Sequence, residues 1–140
     1  LASFVKNHFF VQHLAHKVHN LGSDTLAYAL TAAANAPTTS YTGVSNLTEI
    51  SYTNCSARSA TTSSSGQTAG TYKLVLADLV LTASGTVGPF RYVILFNDTP
   101  SGGPTDPIIG WYDYGSDLTL ANGETFTIDN DASNGVLQIA

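Results

Sequence analysis

Gly88-Pro89-Phe90-Arg91-Tyr92-Val93-Ile94-Leu95-Phe96-Asn97 is the stretch that decides the fold. At a period of two, Phe90, Tyr92, Ile94 and Phe96 take one side of an extended chain and Val93 and Leu95 the other, so both faces are apolar. Such a strand is covered on both sides and belongs inside a sheet. A loop with Pro100, Gly102, Gly103 and Pro107 breaks the run, and the chain returns through Ile108-Ile109-Gly110-Trp111-Tyr112-Asp113-Tyr114.

Beyond this hairpin, residues 118–120 lead into Asn122-Gly123, residues 124–129 alternate with Phe126 and Ile128 facing inward, and Asn134-Gly135 precedes residues 136–139. Asn-Gly favours the positive φ angles of tight hairpins, so these last segments are expected to form a meander. On the N-terminal side, residues 72–83 carry Leu74, Leu76 and Val80 against Val75, Leu79 and Leu81, which predicts a second central strand. Asp78 interrupts it and calls for a bulge or a hydrogen-bonded inward carboxylate. Residues 53–71, with Ser63-Ser64-Ser65, read as a flexible loop or as a polar edge strand followed by a turn.

Residues 47–52 predict a short strand and residues 32–44 a loop around Pro37. Residues 24–31 alternate Leu26, Tyr28 and Leu30 with Thr and Ala, as in a strand with one exposed face. At the start, Phe10, Leu14, Val18 and Leu21 form an apolar stripe at helical spacing, which predicts a helix over residues 4–21 with Ser3 as N-cap and Gly22 as stop. At about 1.5 Å per residue it would be roughly 27 Å long.

One helix followed by seven or eight antiparallel strands defines a mainly β chain. The expected fold is a single domain, residues 1–140. It comprises an N-terminal helix in residues 1–22 and a jelly-roll-like antiparallel β-sandwich in residues 23–140. An immunoglobulin-type core needs a cysteine pair, which the single Cys55 denies; a closed barrel is the other antiparallel solution.

Charged residues make up 11 % of the chain, under half of the ~25 % usual for globular domains, so Thr, Ser, Asn and Gly must supply much of the surface. A net charge of −5 with only 5 Lys and Arg gives no basic stripe, so nucleic acid is not expected as a partner. No apolar run reaches the ~18 residues of a membrane span and no signal segment opens the sequence, so a soluble chain without membrane partner or export signal is expected.

The search for chemistry yields no catalytic residue, cofactor or metal site. His13, His16 and His19 recur every third residue, but on a helix the first and last diverge by roughly 120°, so three ring nitrogens cannot converge on one ion. Asp129, Asp131 and Asn134 before Gly135 resemble a calcium loop in the wrong register and read better as an Asx-rich turn. No Gly-x-Ser-x-Gly elbow exists, Cys55 reads as an inert thiol, and the Asp113 and Asp117 pair is the one combination with glycosidase-like potential. Trp111, Tyr112 and Tyr114 fit the core first, a protein interface second and a sugar-stacking platform third.

Several stretches carry a resemblance. They are Lys17-Val18-His19-Asn20-Leu21-Gly22-Ser23-Asp24-Thr25-Leu26, Gly70-Thr71-Tyr72-Lys73-Leu74-Val75-Leu76-Ala77-Asp78, Gly110-Trp111-Tyr112-Asp113-Tyr114-Gly115-Ser116, Leu120-Ala121-Asn122-Gly123-Glu124-Thr125-Phe126-Thr127-Ile128-Asp129, and the ending Asn134-Gly135-Val136-Leu137-Gln138-Ile139-Ala140. Together with Gly88-Pro89-Phe90-Arg91-Tyr92 they resemble the capsid cement, or decoration, proteins of tailed bacteriophages, with no catalytic motif among them. The resemblance implies a jelly roll on the outer surface of the virion head that binds the major capsid protein. It also implies pairing with its own copies, as a homodimer rather than a trimer, and a shell stiffened against internal DNA pressure. It carries no residue-level binding motif. From the residues alone, Phe9, Phe10 and Leu14 on the helix and Trp111, Tyr112 and Tyr114 are the expected contacts, with residues 53–71 as an edge or arm. The competing expectations are a carbohydrate-binding sandwich of a phage fibre or receptor-binding protein, and a hydrolase using Asp113 and Asp117.

Overall fold

The computed structural model describes residues 2–140. In chain order the elements are β1 (Phe4–Lys6), α1 (Phe9–Ala15), β2 (Leu26–Thr31), β3 (Thr62–Thr68), β4 (Thr71–Leu76), β5 (Leu79–Thr82), β6 (Val87–Asn97), β7 (Ile108–Leu120), β8 (Thr125–Ile128) and β9 (Leu137–Ile139). They form a four-stranded sheet β1-β7-β6-β2, a three-stranded sheet β3-β4-β9 and a two-stranded sheet β5-β8, with every pairing antiparallel. The fold is therefore mainly β, and the arrangement is compatible with a β-sandwich.

β6 lies between β2 and β7, as its two apolar faces require. On the inner face, Val93 and Leu95 join Leu26, Tyr28 and Leu30 of β2 and Ile109 of β7, all buried against Leu74, Leu76, Leu81, Ile128 and Leu137 of the smaller sheets. On the outer face, Ile94 and Phe96 join Ala29, Ile108 and Trp111 in a second cluster, covered by Tyr41, Val44 and Leu47. Phe90 does not share that outer face. The β6–β7 register shifts between Phe90 and Tyr92, and the irregularity places Phe90 in the inner cluster with Val93 and Leu95. The expected exposed face of β2 is likewise covered, since Ala29 and Thr31 are both fully buried.

The predicted helix over residues 4–21 shrinks to the 7 residues of α1. Residues 4–6 are extended instead: they pair with β7 (Phe4↔Tyr112, Lys6↔Gly110), and the Phe4 ring meets Tyr112 edge-on at 5.2 Å. Gly110 makes this possible, because a Cβ there would collide with the Phe4 ring and the Val5 carbonyl. Asn7, rather than Ser3, serves the start of the helix: its side chain accepts the Phe9 N–H at 2.8 Å. Lys17, rather than Gly22, ends it. Lys17 has φ 63°, its N–H bonds the Leu14 carbonyl at 3.2 Å, and the Val18 N–H reaches back to the His13 carbonyl at 2.8 Å, the paired bonds of a Schellman stop.

Residues 72–83 form two strands in two different sheets, not one central strand. The break falls at Ala77-Asp78, where Asn130 docks: its backbone N–H bonds Asp78 Oδ1 at 2.8 Å and its side-chain amide bonds the Ala77 carbonyl at 3.0 Å. The same amide donates to Tyr28 Oη, and Asn130 Oδ1 accepts from Tyr112 Oη, each at 3.0 Å. Burial raises both phenols, Tyr28 to about 12, because the charged form would lose its hydration. This network fastens the four-stranded sheet to the point where the opposing layer divides.

The C-terminal segments do not form a meander. Gly123 and Gly135 have the positive φ values (86° and 78°) their Asn-Gly pairs predict, but each turn sends the chain to another sheet. The Gly123 N–H bonds the Ala83 carbonyl at 2.8 Å, drawing β8 onto β5, while β9 pairs with β4. Residues 47–52 form no strand; they support β2 from the side, with Ile50 N–H on the Leu30 carbonyl and Leu30 N–H on Tyr52 Oη. Within residues 53–71, the edge-strand alternative is realised as β3.

Candidate contact surfaces

The six expected contact residues separate by burial. Phe10 is fully buried in the inner core, Trp111 is 7 % exposed in the outer cluster, and Tyr112 is 9 % exposed with its hydroxyl on Asn130. These three are core residues, which corrects their expected contact role. A sugar platform of Trp111, Tyr112 and Tyr114 does not form, because two of its three rings are enclosed. Phe9 and Leu14 are half-buried, the former stacked on His13 at 5.7 Å. Tyr114 is 53 % exposed.

Tyr114 borders a groove of about 130 Å³ between β7 and β8, whose walls include Ala2, Tyr112, Phe126 and Ile128. Its ring lies 5.5 Å from Phe126, which in turn meets Phe90 edge-on at 5.2 Å, so the exposed tyrosine stands on a column of aromatics rooted in the core. A second groove, of about 480 Å³, runs between α1 and the C-terminal residues and is lined by Val11, Leu14, Ile139 and Ala140. Val5 and Val11 are 38 % and 54 % exposed. Residue type alone missed Val5 and Val11, since both lie outside the aromatic groups that drew attention.

The carboxylate pair is committed elsewhere. Asp113 makes a two-pronged ion pair with Arg91 at 2.7 and 3.0 Å, and hydrogen bonds from that guanidinium hold its pKa below the usual carboxylate value. Asp117 accepts the Ala33 N–H at 2.8 Å. Asp113, paired with Arg91 and held low, does not resemble an acid raised for proton donation. Asp131 accepts the N–H groups of Ser133 and Asn134 at 2.8 Å and the Asn134 side-chain amide at 2.9 Å, which is the Asx turn its sequence predicted. Burial raises the Cys55 thiol, with Arg58 opposing, so it is held as the thiol.

The histidines hold a surprise of geometry. His13 and His19 are both buried, at 5 % and 6 % exposure, and His13 Nδ1 and His19 Nε2 have no hydrogen-bond partner among the described residues. Asn97 donates through Nδ2 to His19 Nδ1 at 3.1 Å and to Asp24 Oδ2 at 2.6 Å, while its Oδ1 accepts the Thr99 N–H at 3.0 Å. That orientation makes His19 Nδ1 an acceptor, so Nε2 carries the proton and has no lone pair for a metal. Among the described residues no group of three or more His, Cys, Asp or Glu is placed to hold a metal ion, and no helix is long and apolar enough to cross a membrane.

No family model, no curated protein and no solved structure gives a significant match to this chain.

Proposed function

We propose that this chain is a capsid cement protein: a jelly-roll-type domain that sits on the outside of a tailed-phage head, bridges major capsid protein subunits, and pairs with its own copies. The stretches quoted above for their resemblance motivate the particular class. The structural observation that supports a contact role is the placement of exposed apolar side chains. Val5, Val11 and Tyr114 stand on β1, on α1 and on the strand that pairs with β1, all elements anchored in the fold. Apolar groups held rigidly on a weakly charged surface lose little conformational entropy on docking, and many equivalent shell sites make modest contacts per copy sufficient when copies are linked.

Copurification decides it. The protein should migrate with intact heads in a fixed ratio to the major shell protein, and Val11→Glu or Tyr114→Ala should lower that occupancy while the free protein stays folded. Absence from heads, or binding unaffected by both substitutions, would refute the shell reading or its assigned surface respectively. Deleting the first 21 residues is not a clean test, because β1 and Phe10 belong to the sheet and core.

A further inference from the structure

β3 pairs on one side with β4, and among the described residues no strand pairs with its other side. β3 and β4 are joined by Ala69 and Gly70, with φ 52° and 83°, a two-residue turn with both central residues at positive φ. In such a hairpin the flanking pair, Thr68 and Thr71, exchanges both backbone hydrogen bonds. Alternation then directs the N–H and C=O groups of Gly66 toward β4, and those of Ser65 and Gln67 outward to the open side. Natural edge strands are usually blunted by charge, proline, a bulge or a covering loop; the one irregularity of β3 falls between Thr62 and Ser64, outside Ser65 to Thr68. This strand, Thr-Ser-Ser-Ser-Gly-Gln-Thr, holds no ionisable residue and no proline.

Gly66 sharpens the point. A glycine inside a strand costs stability, yet nothing in this chain requires one here: its φ is not positive, and a Cβ built on it would meet nothing within 4 Å. We propose that the open side of β3 is the surface on which a second copy of this chain docks, antiparallel about a two-fold axis through Gly66. Ser65 of each copy then faces Gln67 of the other in a hydrogen-bonded pair, and the two Gly66 residues face each other with Cα atoms about 4.5 Å apart. The register is limited on one end by the irregularity between Thr62 and Ser64 and on the other by the turn. A second copy is the fitting occupant. Antiparallel edge pairing is two-fold by construction, hydroxyl and amide side chains donate and accept alike, and no like charges meet across the axis.

This inference deepens the pairing part of the proposed function and rests on it, but not on attachment to a shell. Sedimentation equilibrium of the whole chain tests it, with circular dichroism to confirm folding. The wild-type chain should dimerise reversibly. Gly66→Lys, which has open space, places two ammonium groups opposite each other and should weaken the dimer at least about fivefold at low ionic strength, less so in salt. Gly66→Cys in a Cys55→Ser background should form an interchain disulfide on air oxidation, since the facing Cα atoms are within bridging distance. Gln67→Pro removes an outward N–H without breaking the bonds to β4, and should also weaken the dimer if the lysine variant fails to fold. A chain that stays monomeric to about millimolar concentration overturns the inference. A dimer indifferent to the lysine and proline substitutions moves the pairing surface elsewhere and leaves self-association intact. A dimer that responds as expected but never copurifies with heads retains the edge and removes the shell.

Discussion

The rings of His13 and His19 lie 5.9 Å apart, edge to face, although six residues of helix would have turned them away from each other. The Lys17 turn folds the chain back after α1, and Phe9 and Phe10 close over the pair: Phe9 stacks on His13 at 5.7 Å, Phe10 tilts against His19 at 5.3 Å. Burial lowers both pKa values, that of His19 to about 4; the His16 charge opposes protonation of His13 further, the His13 charge that of His19, and Asp24 partly favours it on His19.

Acid should therefore loosen the N-terminal segment before the carboxylates titrate. The folded pKa of His19 is lowered from 6.5 to about 4, so the unfolded chain binds more protons in that window. Stability is full above about pH 6.5 and falls as pH drops toward 4, by up to about 3 kcal/mol at one pH unit per 1.36 kcal/mol. Urea midpoints between pH 7.5 and 4.5 check it, and His19→Gln should flatten the slope. A wild-type midpoint independent of pH across that range would contradict the buried neutral pair.

Asn130→Leu should cost about 2–4 kcal/mol, because it strands the Tyr28 and Tyr112 hydroxyls and the Ala77 carbonyl in the core. Tyr28→Phe, which removes one partner and leaves the other bonds of Asn130, should cost about 1–2 kcal/mol. Chemical denaturation of the two variants distinguishes a network from incidental contacts.

Trp111→Ala should destabilise by about 3–5 kcal/mol, as expected for an aromatic side chain removed from a core cluster. Tyr114→Ala should shift stability by no more than about 1 kcal/mol, since half of its surface is already in water, and its effect should appear in shell occupancy instead. Equal losses of stability in both would show that the exposed tyrosine is structural.

Lys17→Gly should stabilise the fold by about 0.5–1 kcal/mol. A lysine at φ 63° is strained by its Cβ, and the Schellman bonds around it depend on the backbone alone. Thermal denaturation with unchanged far-ultraviolet dichroism would confirm the gain.

Much of the β architecture is legible from local periodicity. The two-faced apolar run of β6, the strand after the Pro/Gly loop and the Asx turn at Asp131 follow from side-chain alternation and turn chemistry, which act within a few residues, whereas for residues 53–71 these left a loop and an edge strand as alternatives. Of the candidate contacts, the order of preference for Trp111 and Tyr112, core first, was also readable, because large aromatics on alternating strand positions are mostly enclosed.

Tertiary structure decided what periodicity cannot carry. The stripe Phe10, Leu14, Val18 and Leu21 has helical spacing, yet β7 captured Phe4–Lys6 as a strand over Gly110, and a left-handed lysine ended α1 early. Asn130, distant in sequence, split residues 72–83 between two sheets, and a register shift at Arg91 moved Phe90 to the opposite face. The meeting of His13 with His19, the enclosure of Phe10 and the open edge of β3 are of the same kind. Sequence by itself determined most of the extended runs, though not residues 4–6 or 47–52, and most of the side chains that would seek burial, because those preferences are local. Which strand lies beside which, and so which surfaces remain for a partner, depends on hydrogen bonds and contacts between residues far apart in the chain, and only the folded whole sets them.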